Sequence, residues 1–258
     1  MEERQIWTLF LCFWLAVLGA ALGSFLDCAV SRWAAGQPPF RGRSRCAACG
    51  HALGAGDLVP VCSCLVLRGR CRYCGEPIPR ECLAAELAGA AGLGCLALRF
   101  GPVPELGQWA VWAALLLALS LTDCARRLIP DRLLLAMLAN RALWFLLLGQ
   151  GLPELLAAAG ACAVPAALLA LVLLMEKRRG QPVMGGGDLK LLFVLALYLS
   201  WGELLLTLLA GCLLGLGWAA LARRRKDAAI PFGPFLAAGA VGTVCWGGPV
   251  LEWYFGLF

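Results

Sequence analysis

Two aspartates stand at the ends of apolar runs, where an ionisable side chain is costly. Asp123 follows the run LALSLT, and Asp188 follows the glycines Gly185, Gly186 and Gly187 at the start of the run LKLLF. Ionisable residues inside apolar segments of membrane length are candidates for function by default. If the two segments pack side by side, their carboxyl groups come close together.

Paired carboxyl groups can perform acid–base chemistry without a metal or a nucleophilic side chain. Two neighbouring carboxylates cannot both ionise cheaply, so such a pair shares a proton. The ionised member can deprotonate a water molecule, while the protonated member polarises a carbonyl or protonates a leaving group. This is the chemistry of an aspartic protease. The single histidine, His51, argues against a serine–histidine mechanism within the apolar runs.

A simpler interpretation of these aspartates stays open from the residues alone. An aspartate in the first turn of a helix is stabilised by free backbone amides and by the helix dipole, and this would explain Asp188. Asp131, which follows Pro130, fits such a helix start better than Asp123 does. The three glycines remove side chains and permit a bend, so a second backbone can approach them closely.

Four cysteines form a second group with a clear chemical meaning. They occur in the polar segment 31–80 as two C-x-x-C pairs, each followed by a glycine: Cys46, Cys49, Cys71 and Cys74. Two such pairs supply four thiolates, which is the ligand set of a structural zinc site. A cytosolic location disfavours disulfides. The segment is too short and too rich in Gly, Arg and Pro to form a core, so metal binding is expected to supply its folding free energy.

The remaining cysteines carry less information about function. Cys62 and Cys64 lie between the two pairs and could replace one of them, although we favour the outer four as ligands. His51 is interpreted as a polar loop residue rather than a ligand. The other members of the 14 cysteines are expected to be reduced and to behave as small apolar residues.

The elements that carry these residues are long apolar runs. The chain has 258 residues, of which 61% are hydrophobic, and its mean hydropathy is +0.80. Runs of roughly 20 apolar residues cross a bilayer as helices, whereas a membrane β-barrel would show shorter alternating segments. The sequence therefore predicts an all-α polytopic membrane protein with about eight transmembrane helices. We place them at roughly 6–30, 82–99, 108–122, 132–149, 153–175, 189–201, 203–222 and 233–256.

The basic residues predict how the helices are oriented. Most of the 22 Lys and Arg residues lie in the loops that follow odd-numbered helices. Because cytosolic loops are enriched in Lys and Arg, we expect these loops to face the cytosol and both termini to face outward. Topology then explains the net charge of +6 without nucleic acid, and anionic lipid headgroups are the expected counter-surface. Arg141, inside a helix, is expected to face protein or water, with Glu86 and Glu154 as candidate partners.

Three regions follow from this organisation. Residues 1–30 form the first transmembrane helix, and the acidic start MEERQ favours a retained helix over a cleaved signal peptide. Residues 31–81 form a small cytosolic zinc-knuckle domain. Residues 82–258 form a seven-helix membrane domain that carries both aspartates.

Six motifs, in order along nearly the whole chain, resemble those of type IV prepilin peptidases, the bacterial leader peptidases of the GxGD aspartyl group. One motif alone would be a weak signal, but six in the same order are specific. They are GSFLD at 23–27 with Arg32, the two C-x-x-C pairs joined by 58–71, EL at 86–87, TDCARRLIPD at 122–131, MGGGDLKL at 184–191 and IPFGPFLAAG at 230–239.

The resemblance implies that Asp123 and Asp188 are the catalytic pair. It implies that the extended scissile segment of the substrate lies against Gly185, Gly186 and Gly187. The substrate would be a prepilin or pseudopilin of a type IV pilus or protein secretion system, with its basic leader in the cytosol. Cleavage would follow a glycine where the leader meets the apolar helix, at the inner membrane of a bacterium.

Long members of this family often also methylate the new N-terminal amine with S-adenosylmethionine, an activity that belongs to their N-terminal region. This chain departs from the family pattern there: Asp27 replaces a commoner asparagine, and Cys62 and Cys64 replace the usual residues. A peptidase without methyltransferase activity is therefore one alternative. A transporter or an inactive zinc-stapled scaffold is another, although the aspartates lie near one membrane face rather than at the midplane of a transporter.

Overall fold

The computed structural model describes residues 2–181, 184–221 and 231–256, and within these ranges the chain forms helices and no strands. Two isolated β-bridges occur in the cysteine segment, between Arg45 and Ala52 and between Arg70 and Pro77. The helices are α1 (Glu2–Ala34), α2 (Cys62–Val66), α3 (Arg80–Phe100), α4 (Glu105–Arg126), α5 (Asp131–Leu147), α6 (Leu152–Ala161), α7 (Ala163–Arg179), α8 (Gly186–Ala196), α9 (Trp201–Leu221) and α10 (Gly233–Phe255).

The predicted all-helical membrane class is confirmed, and each of the eight predicted segments corresponds to one helix or to the pair α6–α7. Among the described residues, six segments are long and apolar enough to cross a membrane: α1, α3, α4, α6–α7 together, α9 and α10. Helices α5 and α8 have 17 and 11 residues and are shorter than a full span. That these two cross the membrane stays a prediction.

The fifth predicted segment is interrupted between α6 and α7. Pro165 lies in the first turn of α7 and has no backbone N–H to donate to the carbonyl of Ala161, so the helix breaks at Cys162. The carbonyl of Cys162 instead accepts a hydrogen bond from the N–H of Ala166 at 3.1 Å.

The chain forms two compact units, Met1–Leu121 and Thr122–Phe258. The first unit contains α1, the cysteine segment, α3 and most of α4. The second contains the last turn of α4 and helices α5 to α10. All four predicted metal ligands therefore lie in the first unit, and both predicted catalytic aspartates lie in the second.

Glycines bring α1 and α3 into close contact within the first unit. A Cβ atom on Gly19 would lie 2.1 Å from the carbonyl oxygen of Gly89, and one on Gly23 would lie 2.2 Å from that of Ala85. Backbone atoms cannot move aside, so both positions of α1 require glycine. Gly19 and Gly23 form the G-x-x-x-G pattern that lets membrane helices approach closely. Gly23, the first residue of the GSFLD motif, thus has a packing role.

We expect Gly89→Ala to destabilise the first unit, because its new Cβ would lie 2.1 Å from the carbonyl oxygen of Gly19. Forcing atoms into a close-packed contact costs about 1–3 kcal/mol. Gly92→Ala is the matched control, since Gly92 lies on the same helix with nothing within 4 Å. Thermal unfolding of the purified protein in detergent would show a lower Tm for Gly89→Ala alone. Equal Tm values for the two variants would contradict this packing account.

Helix α8 lies at the centre of the second unit. It packs against α5, α6, α7 and α9. Its side chains are buried on several sides, and Leu191, Leu192 and Leu195 have no exposed surface. The glycine run 185–187 and Asp188 stand at its N-terminal end, so this central helix positions one of the two aspartates.

Candidate active site

Asp123 lies in the last turn of α4 and is buried, with 6% of its surface exposed. The helix ends just beyond it, where Arg127 adopts a left-handed backbone with φ 54° and donates its N–H to the carbonyl of Asp123 at 2.8 Å. The Asp123 Oδ2 atom accepts a hydrogen bond from the backbone N–H of Gly233 at 2.9 Å. Gly233 begins α10, and the first amides of a helix have no partner within the helix. The start of α10 therefore holds the Asp123 carboxyl group in place.

The contact of Gly233 with Asp123 was not predicted from the sequence. A Cβ atom on Gly233 would lie 2.8 Å from Asp123 Oδ2, so the hydrogen bond depends on the absence of a side chain. The signal was present in the sequence, because Gly233 belongs to the motif IPFGPFLAAG. Ile230, the first residue of that motif, and the basic run 223–226 lie outside the described residues.

Asp188 is partly buried in the first turn of α8. Its backbone N–H donates to the carbonyl of Gly185 at 3.1 Å. A Cβ atom on Gly185 would lie 2.9 Å from Asp188 Oδ2, so the carboxyl group occupies the space that a side chain at 185 would take. Gly185 precedes the helix in an extended conformation, with φ −65° and ψ 128°. The turn into α8 thus places the Asp188 carboxyl group.

The other two glycines of the run have different surroundings. A Cβ atom on Gly187 would lie 3.0 Å from Cβ of Ile129, so this glycine lets α8 pack against the segment between α4 and α5. A Cβ atom on Gly186 would meet nothing within 4 Å. Gly186 therefore faces open space, whereas Gly185 and Gly187 are needed by the protein's own packing.

Both aspartates line one cavity of about 430 Å³ within the second unit. The structure thus brings together the two predicted catalytic residues and the three predicted substrate-binding glycines. The remaining lining residues are Arg127, Leu128, Ile129, Pro130, Asp131 and Lys190.

Lys190 forms an ion pair with Asp131 at the same cavity. The Lys190 Nζ and Asp131 Oδ1 atoms are 2.8 Å apart, and both side chains are more than half exposed. Asp131 is the first residue of α5, as expected. An exposed pair of this kind contributes at most about 1 kcal/mol. The ion pair links the starts of α5 and α8.

The four cysteines of the C-x-x-C pairs converge in the first unit. Their Sγ atoms all lie within 4.8 Å of one another, and those of Cys46 and Cys74 are 3.9 Å apart. Tetrahedral coordination with metal–sulfur bonds of about 2.3 Å requires sulfur atoms about 3.8 Å apart. The arrangement could therefore hold a metal ion. The other two candidates, Cys62 and Cys64, lie in α2, and His51 stacks on Tyr73 with ring centroids 3.7 Å apart.

Each C-x-x-C pair forms the same turn. The N–H of Cys46 donates to the carbonyl of His51 at 2.9 Å, and the N–H of Cys71 donates to that of Glu76 at 2.8 Å. The glycine after each pair, Gly50 or Gly75, has a positive φ of 70° or 75°. Side chains rarely adopt this conformation, which explains why both pairs are followed by glycine.

Backbone amides act on the cysteine cluster, and one carboxylate joins the two parts of the segment around it. Hydrogen bonds from the backbone of Cys49 and Ala48 lower the pKa of the Cys46 thiol to about 7, whereas burial and the neighbouring thiols raise that of Cys74 to about 12, so the four thiols share few negative charges until a cation binds. Asp57 accepts hydrogen bonds from Arg72 Nε at 2.7 Å, from the Tyr73 hydroxyl at 3.2 Å and from the N–H of Gly54 at 3.1 Å. The Arg72 guanidinium lowers the pKa of Asp57, so this contact between the second pair and the turn at 54–57 persists when solvent is mildly acidic.

We expect purified protein to contain about one tightly bound metal ion per chain, because four thiolates of this geometry form one tetrahedral site. Cys46→Ser should lower this content severalfold, and Cys62→Ser should leave it unchanged. Elemental analysis by mass spectrometry after dialysis measures both. Acidification should release the metal, because protons compete with it for the thiolates. Equal loss in the two variants would show that the ligand set includes Cys62.

Two family comparisons match most of the chain. The family described as the Bacterial Peptidase A24 N-terminal domain matches residues 17–100, and the Type IV leader peptidase family matches residues 110–220. The second match spans both Asp123 and Asp188. No solved structure matches the chain significantly.

Curated relatives agree with the family matches over nearly the full chain. A protein of Burkholderia pseudomallei (strain 1026b) is 40% identical over 90% of this chain and 84% of its own length. One from Aeromonas hydrophila is 35% identical over 84% and 77%, and one from Bacillus subtilis (strain 168) is 31% identical over 93% and 96%. Each is named prepilin leader peptidase/N-methyltransferase. The chain belongs to the type IV leader peptidase family, as its motifs predicted.

Proposed function

We propose that this protein is an intramembrane aspartyl endopeptidase that removes the basic leader from prepilins or pseudopilins after a glycine. The observation that carries the proposal is the single cavity lined by Asp123 and Asp188, with one carboxyl group held by the start of α10 and the other in the first turn of α8. The names of the relatives support the substrate class.

The reaction needs only the two carboxyl groups and water. The ionised member deprotonates a water molecule, which attacks the scissile carbonyl carbon while the protonated member donates to the carbonyl oxygen. The tetrahedral intermediate then collapses as a proton passes to the leaving amine. The N–H of Gly233 orients Asp123 for this step. The open space at Gly186 would admit the extended backbone of the substrate.

The distribution of basic residues supports a location in the bacterial inner membrane, with the cavity and the cysteine segment on the cytosolic side. Asp123 then stands at the cytosolic end of α4, where the leader of a prepilin would meet its apolar helix. Surrounding lipids and the prepilin are the expected partners, and nucleic acid is not among them.

We further propose that zinc is the metal of the cysteine cluster. Four thiolates in a tetrahedral arrangement favour zinc, and the segment 35–79 has little regular structure beyond the short helix α2, one 3₁₀ turn and two isolated β-bridges. Zinc there would act as a structural staple for the segment 31–81, since four thiolates leave no open coordination position.

Asp123→Asn and Asp188→Asn should each abolish leader removal. Loss of one member of an acid–base pair lowers the rate by about 100- to 10,000-fold. The gel mobility of a coexpressed prepilin measures leader removal. Asp131→Asn is the matched control, because Asp131 lines the same cavity but is paired with Lys190. A transporter or an inactive scaffold would instead predict the same pilin mobility with either variant as with the parent protein.

Two variants, Gly185→Ala and Gly186→Ala, distinguish the effect of the Asp188 position from the effect of substrate access to the cavity. The Cβ at 185 would displace the Asp188 carboxyl group, so kcat should fall by about tenfold, which corresponds to about 1.4 kcal/mol. The Cβ at 186 meets no protein atom, so kcat should hold and any effect should appear in KM. Steady-state cleavage of a prepilin peptide tests this, and an unchanged kcat for Gly185→Ala would contradict the geometry.

A second activity, N-methylation of the new N-terminus, is proposed from the relatives' names. S-adenosylmethionine would supply the methyl group to the pilin amine, which loses a proton, and we assign this step to the N-terminal unit. Mass spectrometry of the mature pilin from cells that coexpress this protein should show one added methyl group. An unmodified N-terminus with complete cleavage would establish the alternative, a peptidase without methyltransferase activity.

A further inference from the structure

Helix α8 ends at Ala196, which has no exposed surface. Its 11 residues span about 16 Å, roughly half of the 30 Å hydrocarbon core of a bilayer. The last carbonyl groups of a helix have no partner within the helix and must find one elsewhere, especially where water is excluded. The residues that satisfy the C-terminal end of α8 therefore help to define where this helix lies.

Arg141 of α5 provides such a partner. Its Nε–H donates to the carbonyl of Leu197 at 2.7 Å, directly after the last residue of α8. Its Nη1–H donates to Oε1 of Gln150 at 2.8 Å, and its guanidinium carbon lies 5.8 Å from the centre of the Tyr198 ring. A positive charge at a helix C-terminus is favourable. Arg141 was expected to face protein or water, with Glu86 and Glu154 as candidate partners; its hydrogen bonds go to a helix end and an amide of the protein.

Neighbouring side chains reinforce this junction between α5 and α8. Asn140 Nδ2 donates to the Tyr198 hydroxyl at 3.1 Å, and that hydroxyl donates to the carbonyl of Met137 at 2.5 Å. Asn140 and Met137 are both buried. The carbonyl of Leu197 and the hydroxyl of Tyr198, which follow α8, are thus hydrogen-bonded to residues 137–141 of α5.

We propose that Arg141 is a positioning residue for the peptidase reaction, because by binding the C-terminal end of α8 it sets the register of α8 against α5 and so the location of Asp188. The inference rests on the proposed peptidase function. A helix moves nearly as a rigid body, so a shift at Leu197 is transmitted along α8 to Asp188. A misplacement of about 1 Å in a catalytic group can cost about 100-fold in rate.

At the other end of α8, the ion pair between Lys190 and Asp131 is exposed, and Gly187 leaves room for the side chain of Ile129. Lysine could not replace Arg141 fully, because the guanidinium plane directs two N–H groups at two acceptors, Leu197 O and Gln150 Oε1, at the same time.

The test uses full-length protein in detergent, with kcat, KM and the pH dependence of kcat measured on a prepilin peptide. Activity is expressed per monodisperse molecule after size exclusion. Arg141→Met should lower kcat by about 10- to 100-fold while KM changes less than about twofold. Arg141→Lys should recover only part of the lost kcat. A wider separation of the two carboxyl groups weakens their repulsion, so the alkaline limb of the pH profile should move to lower pH. Arg132→Lys, an exposed position on the same helix, is the control.

A structural role alone would reduce the yield of monodisperse protein and leave kcat and the pH profile of the remaining molecules unchanged, which would overturn the proposal. Gln150→Leu removes one acceptor of Arg141 at the loop after α5, and it decides the matter if the Arg141 variants do not fold. A smaller fall in kcat with the same shift of the pH profile supports the proposal, and an unchanged kcat overturns it. Full cleavage by Asp123→Asn would instead refute the aspartyl mechanism, and no cleavage by the parent protein would refute the peptidase function itself.

Discussion

The site depends on one constraint: a carboxyl group placed among apolar helices needs polar partners, and helix N-termini supply them. Asp123 is held by the first amide of α10, and Asp188 lies in the first turn of α8. Free amides and the positive end of the helix dipole make these positions favourable for a carboxyl group. The backbone thus binds the Asp123 carboxyl group directly, and the cavity between the helix ends gives both aspartates access to water and to a polypeptide.

Absent side chains provide the close distances that this arrangement needs. Gly233 and Gly185 each leave space that an aspartate oxygen occupies, and Gly187 leaves space for Ile129. Absent side chains also allow close helix packing in the first unit, where Gly19 of α1 meets the backbone of Gly89 in α3. A membrane protein has little hydrophobic driving force between its helices, so close backbone contact contributes more to its packing than in water.

The two ends of α8 lie in different polar surroundings. Its N-terminal end presents Asp188 to a cavity, whereas the carbonyl group after its C-terminal end is bound by Arg141. A short helix can reside in the interior of the unit only if both ends are satisfied. The charges at its ends therefore explain how a segment of 11 residues keeps one fixed place among longer helices.

Apart from the break between α6 and α7, the sequence by itself determined the long apolar helices to within about five residues. It also determined the cysteine segment and the candidate aspartates, because apolar length, C-x-x-C spacing and motif order are local properties of the chain. Only the tertiary structure decided that Gly233 holds Asp123, that Lys190 pairs with Asp131, that Arg141 binds the end of α8, and that the three glycines of the run differ in role. Those contacts join atoms distant in sequence, several of them backbone atoms that every residue type carries. No local pattern specifies which of these atoms meet, since that depends on how whole helices pack.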